Sequence, residues 1–414
     1  MSLSRNLSGC QVFHPSELPT DWDCVPLKDR LELLYGRALK EEIRKPGDVD
    51  VFGSNGKVGS HNEHWLDAPG VLVGRKGTVG AVHYTDKPFW PIDTTYYVKP
   101  TGDDKLRYLF YLLEQLPLKS LNAATGVPGL SRRDAYALLG AFPPPNEQAA
   151  IARVLDAVGA AIDRAREAAA QAAEVKRALA QELFSKGTRG EPQKKTPVGF
   201  IPASWEVKPV NAVVTNFEYG LSLPMHLKGA TPILRMGNIQ QGDVVMDDLK
   251  YVTLPDALVD RYLLKRGDVL FNRTNSQEWV GKVGIYRTDA PAVFASYLIR
   301  LHPDVAQVDN YYLGQLLNSY NAQCRIKRFA TPGVQQVNIN AKNLGKVLIP
   351  VPVGSTALDE QREIAAVLEA ADERSRSYAP VIAALSQLKK SLMHDLLTGS
   401  VRFDPALFPQ EANV

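Results

Sequence analysis

The chain has 414 residues, 45% of them hydrophobic and 22% charged, which is enough apolar side chain for two or three packed domains and too much for a disordered protein. A net charge of +3 announces no polycation. No run approaches the roughly 18 apolar residues of a membrane span, and residues 1–20 mix Arg5, His14, Pro15 and Glu17 instead of forming a signal-peptide core, so a cytoplasmic location is expected. Cys10, Cys24 and Cys324, odd in number and far apart, argue against a disulfide framework and a paired-cysteine metal cluster.

In chain order, residues 1–145 read as a first mixed α/β globule. Gly70–Val73 and Val79–Tyr84 are short apolar runs set between Gly, Asn and Pro punctuation, as strands are, and Leu106–Leu116 has a helical pattern. Ala141-Phe142-Pro143-Pro144-Pro145 closes the globule, because proline has no ladder donor and biases its predecessor to extended geometry. Residues 146–190 are predicted to form a long helix, with Asn146 as N-cap and Glu147 at the positive end of the dipole. Its apolar stripe (Ile151, Leu155, Val158, Ile162, Ala165, Ala169, Ala172, Leu179, Leu183) follows a near-heptad spacing and is narrow and alanine-rich.

A second mixed α/β globule is expected over 191–358, with strands at Asp268–Phe271 and Val283–Tyr286, a helix over Tyr311–Phe329, and the proline-rich Val347-Leu348-Ile349-Pro350-Val351-Pro352 near its end. Residues 359–414 supply a second rod, with Asp359 as N-cap and a stripe of Ile364, Leu368, Ala371, Tyr378, Ile382, Leu385, Leu392 and Leu396. Each rod would be about 60 Å long, and the simplest partner for each is the other. Pro380 should kink the second rod or split it in two. Basic and acidic residues number 17 and 17 over 1–145, 16 and 12 over 201–358, and 6 and 9 over 359–414, so any basic patch must be assembled by folding.

The order globule, rod, globule, rod is an internal duplication. Glu147 to Gly187 aligns without a gap with Glu360 to Ser400, at an offset of 213. Glu147-Gln148 returns as Glu360-Gln361, and Lys176, Leu179 and Leu183 return as Lys389, Leu392 and Leu396. Pro19-Thr20-Asp21-Trp22-Asp23 reappears as Pro202-Ala203-Ser204-Trp205-Glu206, and Val71-Leu72-Val73-Gly74-Arg75 as Val269-Leu270-Phe271-Asn272-Arg273. Gly126-Val127 and Leu130-Ser131 are matched with Gly333-Val334 and Val337-Asn338. The offset grows from 183 through 198 and 207 to 213, so the second copy is longer by several small insertions, which usually fall in surface loops.

A search for catalysis returns little. Gly56-Lys57, Gly281-Lys282 and Gly345-Lys346 are each followed by Val, where a phosphate loop needs Ser or Thr. His61 and His64, accompanied only by Glu63 and Asp67, read as solvated loop residues and not as a metal site. There is no Asn-Pro-Pro-aromatic element of an amino-methyltransferase and no acidic pair followed by the Glu-x-Lys of a nuclease core. Polar loops are more telling. Phe52-Gly53-Ser54-Asn55-Gly56-Lys57-Val58-Gly59 presents Asn55 and Lys57; Asn272, Arg273, Thr274, Asn275 and Gln277, with Gln335, Gln336, Asn338 and Asn340, are the residue types that read base edges. Arg75, Lys76, Arg132, Arg133, Lys282, Arg325, Lys327 and Arg328 are suited to phosphates. Taken singly, an Asn-Gly pair is usually a hairpin turn and an Arg-Arg pair a solvated one; recurrence at matching places in two globules is what favours a DNA-contact role.

With those residues in view, the chain resembles the specificity subunits of Type I restriction-modification enzymes over nearly its whole length. The resemblance rests on the Pro-x-x-Trp-acid globule starts, the Phe52 to Gly59 element, the Gly126 to Ser131 element, and the junctions Pro143-Pro144-Pro145-Asn146-Glu147-Gln148 and Pro352 to Gln361. It implies two target-recognition domains, each placing loops in the major groove over half of a split, asymmetric DNA site, and two rods packed as an antiparallel coiled coil with a pseudo-twofold repeat. It implies no catalytic centre, cofactor or metal in this chain. Two adenine-methylating modification subunits would bind S-adenosylmethionine and flip the target base, and ATP-driven, magnesium-requiring restriction subunits would join them. Arg153, Arg164 and Arg166 are the positions expected to dock them. The second junction carries six extra residues within Val353 to Leu358, and Pro380 replaces Glu167, so the two spacers are not expected to match fully. A stand-alone DNA methyltransferase or nuclease, or a coiled-coil scaffold with protein-binding globules, is the rival reading.

Overall fold

The computed structural model describes residues 18–121, 129–333 and 336–403. The chain divides into two compact units, residues 1–166 with 380–414, and residues 167–379.

In the first unit, Asp23–Pro26 pairs antiparallel with Leu139–Phe142 and so closes the globule on itself. Next to this pair lies a four-stranded antiparallel sheet in the order Leu31–Tyr35, Thr95–Pro100, Gly70–Gly74, Val82–Thr85. Its edge strand alternates, burying Leu31 and Leu33 and exposing Glu32, while Gly70–Gly74 is buried throughout and reads as an unbroken apolar run. The helix Leu106–Gln115 buries Tyr108, Leu109, Tyr111, Leu112 and Leu113 in the same core. A three-stranded sheet of Gly56–His61, Val49–Gly53 and Phe89–Pro91 completes the globule.

The second unit repeats this plan. Glu206–Pro209 pairs with Leu348–Val351, and the sheet runs Val214–Tyr219, Leu298–Pro303, Val269–Asn272, Val283–Ile285. Lys250–Val252, Thr231–Leu234 and Val293–Phe294 form a three-stranded sheet with the same mixture of one antiparallel and one parallel pairing. The extra length is visible as structure: residues 235–249 add Ile239–Gln240 and Asp243–Val244 to the larger sheet. Val79–Gly80 forms a turn, the strand beginning only at Val82, and the helix expected over Tyr311–Phe329 is two helices, Asn310–Asn318 and Tyr320–Lys327. They part at Ser319, whose hydroxyl caps the second by accepting from the Ala322 amide.

The first rod is a helix over Pro145–Lys186. It starts at a proline, whose fixed φ suits the first helical position, so Asn146 lies inside the first turn and is not the N-cap. Asp359 is displaced likewise: the second rod begins at Ala357 after Thr356, and Asp359 and Glu360 are first-turn acids. The split expected from Pro380 is present. Ala357–Arg376 and Tyr378–Leu397 are separate helices, and the last residue of the former is Arg376, whose carbonyl a proline four residues later can neither bond nor accommodate. In each unit the stretches of the two rods run in opposite directions. In the first, Glu147 meets Arg402 at 2.9 Å and a Cβ on Gly159 would lie 3.9 Å from Lys389 Nζ, while in the second Lys176 meets Asp372 at 2.6 Å and Thr188 meets Glu360 at 2.9 Å.

The repeated motifs converge on the joint between globule and rod. Trp22 donates its indole N–H to Glu147 Oε2 at 3.1 Å, and Trp205 donates to Glu360 Oε2 at the same distance. Gln148 Oε1 accepts from the Lys105 amide and Gln361 Oε1 from the Asp309 amide, both at 2.8 Å. The joint is finished by the far end of the other rod: Arg402 bonds Glu147 Oε1 at 2.9 Å, and the Thr188 amide bonds Glu360 Oε1 at 2.9 Å. All four carboxyl and amide side chains are buried, and a buried indole N–H or carboxylate without a partner costs roughly 1–3 kcal/mol or more, so tryptophan and glutamate are required together. Gly187 and Gly399 turn the chain at these joints with φ of 63° and 71°, and a Cβ on either would strike the joint: Glu360 Oε1 at 2.5 Å, Pro19 Cδ at 2.4 Å.

A candidate nucleic-acid interface on each domain

In the first unit three loops meet where the four-stranded sheet ends. The hairpin Gly53–Gly56 carries Asn55, which is exposed, and Lys57, exposed and 2.5 Å from Asp50. It lies against the turn Arg75–Gly80, since a Cβ on Gly77 would sit 3.2 Å from Ser54 Oγ. Segment 129–133 joins through the Leu130 amide to the Arg75 carbonyl at 2.8 Å. Lys76 and Arg133 are exposed, and Arg75 and Arg132 are half-buried.

Both half-buried arginines are ordered by one aromatic ring. Arg75 stands 5.1 Å and Arg132 4.5 Å from the centroid of Tyr35, which is 47% exposed although it ends a core strand. Arg75 also donates to the Asp93 carbonyl at 3.0 and 2.8 Å. Tyr96, whose ring centroid is 5.2 Å from Tyr35, has its hydroxyl pKa pushed up to about 12 by burial and, secondarily, by Tyr35. The side chain over which the guanidinium groups lie is therefore packed on a buried, neutral neighbour.

The second unit builds the same corner from matching residues. Arg273 lies 5.2 Å from the centroid of Tyr219, which is 40% exposed at the end of its strand. The Ile339 amide bonds the Arg273 carbonyl at 2.9 Å as Leu130 does that of Arg75, and Asn340 caps the helix Ala341–Gly345 as Ser131 caps Arg132–Tyr136. Leu130-Ser131 therefore corresponds to Ile339-Asn340; the sequence match to Val337-Asn338 is two residues out of register. The position of Arg132 is taken by Ala341, whose amide donates to the Tyr219 hydroxyl at 2.9 Å. Thr274 and Asn275 pair with Asn338 and Val337, and the Thr274 hydroxyl donates to Asn338 Oδ1 at 2.5 Å.

The structure sorts the other expected contacts. Gln277 and Asn340 are exposed; Asn275, Gln336 and Asn338 are half-buried, and Thr274 is buried. Asn272 is fully buried and offers no surface to a base. Gln335 lies outside the described residues, as do Gly126, Val127 and Val334. Lys282 is half-buried beside Lys327, and burial first, then that neighbour, lowers its pKa. His61 is not a solvated loop residue: it is buried, with Nδ1 accepting from the Lys45 amide at 3.0 Å and its ring edge-on to Trp90. Among the described residues no group of three His, Cys, Asp or Glu could hold a metal ion, and no helix is long and apolar enough to cross a membrane. Arg153, Arg164 and Arg166 are exposed on the first rod, Arg166 within 3.3 Å of Asp163.

Tyr35 and Tyr219 carry the corner in both domains, and motif reading passed over them. They are 184 residues apart, close to the 183 that separates the Pro-x-x-Trp elements, so extending that alignment along the next strand would have found them.

Each domain is also pinned to a rod carboxylate at the repeat offset. Asp156 Oδ1 accepts from Arg107 at 2.5 Å and from the Tyr111 hydroxyl, while Glu369 accepts from Arg287 at 2.9 Å. The cation is stacked on a tyrosine in both, Arg107 at 3.9 Å from the Tyr84 centroid and Arg287 at 5.2 Å from that of Tyr311. In the first domain the arginine is on the helix and the tyrosine on the strand; in the second the tyrosine is on the helix Asn310–Asn318 and the arginine lies two residues past the strand Val283–Ile285. A contact kept while its two residues trade places indicates that the hold of domain on rod is itself needed.

Comparison with known proteins fits this duplicated arrangement. The model of the Type I restriction modification DNA specificity domain matches residues 19–172 and again 206–379. The type I restriction enzyme MjaX specificity subunit of Methanocaldococcus jannaschii is 31% identical over 211 residues, spanning 50% of this chain and about half (49%) of that protein. The MjaVIII specificity subunit of the same organism is 26% identical over 94% of this chain and 95% of its own length. The crystal structure of a Type-I restriction-modification system S subunit from M. genitalium superimposes with a TM-score of 0.62 at 16% identity, covering 92% of this chain and 98% of that one, and so shares the fold. Two matches of the family model, covering most of the chain and falling on the two similar globules, show that the chain belongs to the Type I restriction-modification DNA specificity family.

Proposed function

We propose that this chain is the sequence-specificity subunit of a Type I restriction-modification complex, each domain reading one half of a split, asymmetric DNA site. The observation that carries the reading is the same corner built twice: an exposed tyrosine ordering an arginine beside a polar loop, Tyr35 with Arg75 and Tyr219 with Arg273. A guanidinium already ordered by a ring and a carbonyl loses less freedom on meeting a guanine edge or a phosphate. The rods serve as an antiparallel coiled-coil spacer with a pseudo-twofold repeat, and helix length sets the gap between half-sites. The chain holds no catalytic centre. Two modification subunits carry S-adenosylmethionine and methylate adenine, restriction subunits carry ATP and magnesium, and Arg153, Arg164 and Arg166 offer exposed charge for docking them.

The test is a pair of assays on the purified chain. Footprinting on its target should show two protected tracts with an unprotected gap, and labelled S-adenosylmethionine should transfer no methyl group to DNA until modification subunits are added. One continuous tract would refute the division of labour, and methyl transfer by the chain alone would refute the non-catalytic role.

A further inference from the structure

The two corners differ in their electrostatics. Gly80 and Gly281 mark the same place in the two domains: both have positive φ, 71° and 87°, and a Cβ on them would meet Leu118 at 2.5 Å and Ile326 at 2.9 Å. Counting outward from these pairs, Lys282, Arg325, Lys327 and Arg328 of the second domain stand where the first has Ala81, Pro117, Lys119 and Ser120. Four cations occupy the place of one.

None of the four forms an ion pair among the described residues, whereas Lys176 and Arg287, half-buried in the same unit, each meet a carboxylate, Asp372 and Glu369. Arg325 Nε donates to the Leu348 carbonyl at 2.9 Å, and Lys327 Nζ to the Glu278 carbonyl at 2.9 Å. Burial, then Arg328, lowers the pKa of Arg325. Glu278 is the acid that acts on Lys282, and it pairs with none of the four; like charges gathered in excess over counter-charge raise the free energy of the free protein and lower that of any complex that supplies an anion. Lys282, Arg325 and Lys327 also line a cavity of about 910 Å³ in the second unit, into whose wall no acidic side chain enters. The cluster is continuous with the polar loop, because Lys327 grips the carbonyl of Glu278, next to Gln277.

We infer that Lys282, Arg325, Lys327 and Arg328 form a DNA-backbone anchor peculiar to the second domain, so that the subunit grips phosphates unequally at its two half-sites. The inference rests on the DNA-reading role above and deepens it. The ligand is a row of phosphates: the cations are spread over a strand end and a helix, with amide and hydroxyl neighbours, and they abut the reading loop. Phosphate contacts fix register without carrying sequence information, so the anchor sets affinity and leaves discrimination to the loops.

The test is a salt titration of duplex binding by the full chain, using a duplex carrying both half-sites and a scrambled duplex. For Lys282→Gln with Lys327→Gln, the slope of log affinity against log salt should shrink by about 0.9 for each lost contact, with target and scrambled affinities falling alike. The pair Lys282→Arg with Lys327→Arg should keep the slope, and Lys119→Gln in the first domain should change it little. An unchanged slope with target preference intact would overturn the anchor and leave the reading role standing. Absence of preference in the unmodified chain would overturn both. If the slope held and only assembly with modification subunits weakened, the cluster would be a protein-docking surface and the inference wrong.

Discussion

Replacing Glu360 by alanine tests how the second domain is fixed to its rods. Glu360 is 4% exposed, and its two oxygens accept from different parts of the chain: Oε2 from the Trp205 indole at 3.1 Å, Oε1 from the Thr188 amide at 2.9 Å. Alanine would leave two buried or half-buried N–H donors unpaired, each costing roughly 1–3 kcal/mol, so about 3 kcal/mol is expected once some relaxation is allowed. Glutamine would recover about half of this. Both partners are donors, and an amide offers an acceptor to one while setting its own N–H₂ against the other. Glu363, one turn on, is the control: it contacts Thr188 Oγ1 and Arg189 at 2.8 and 3.0 Å but is half exposed, and its alanine variant should cost about 0.5 kcal/mol. Denaturant unfolding followed by tryptophan fluorescence measures all three. If Glu360→Ala and Glu363→Ala lay within 1 kcal/mol of each other, the joint would not be held as described.

Removing the ring of Tyr35 should cost more than removing its hydroxyl. Tyr35→Ala withdraws two guanidinium contacts worth about 0.5–1 kcal/mol each and should weaken target binding about 5- to 30-fold, whereas Tyr35→Phe should bind nearly as the parent does; equal losses would mean that the hydroxyl matters and the stacking does not. Exchanging residues 272–277 for the loop of a relative should change the methylated bases in one half-site, and a change in both would contradict independent readers. A pH effect is expected at Glu218: burial works to raise its pKa, but hydrogen bonds from Arg300 and His302 overcome this and hold it below the ordinary value. A depressed folded pKa gives stability that is present above the ordinary carboxylate range and lost as pH falls through the lowered value. Glu218→Gln should therefore remove part of the acid-side fall in stability, and an acid limb of unchanged steepness would show the group to be uncoupled from folding.

The architecture was legible where one residue type alone meets a physical demand. Pro-x-x-Trp-acid and Glu-Gln stood out in the sequence because the tryptophan and the glutamate are halves of one buried bond, and neither tolerates loss of the other. The rods were legible from their period, and the break from Pro380. Their starts were not, because Asn146 and Asp359 are good caps anywhere and the chain enters each helix one or two residues earlier. The interface was only partly legible. Arg75 and Arg273 fall in a repeated element, but whether a polar side chain faces solvent depends on the pleat, and Asn272, one residue before Arg273, points inward. Tyr35 and Tyr219 were overlooked because a tyrosine at the end of a strand looks like core; each ends the edge strand of its sheet and stays 47% or 40% exposed. The cation cluster was invisible as a cluster, since Lys282 and Arg325 to Arg328 are some 40 residues apart in sequence.

The central claim, two readers held apart by a helical ruler, is tested most directly by mapping methylated adenines across DNA from cells that express this chain with modification subunits. The expected pattern is one split motif, with specified bases on both sides of an unspecified gap of fixed length, and a gap that shortens when one helical turn is deleted from both rods while both halves remain unchanged. A continuous motif, or a gap indifferent to that deletion, would contradict it.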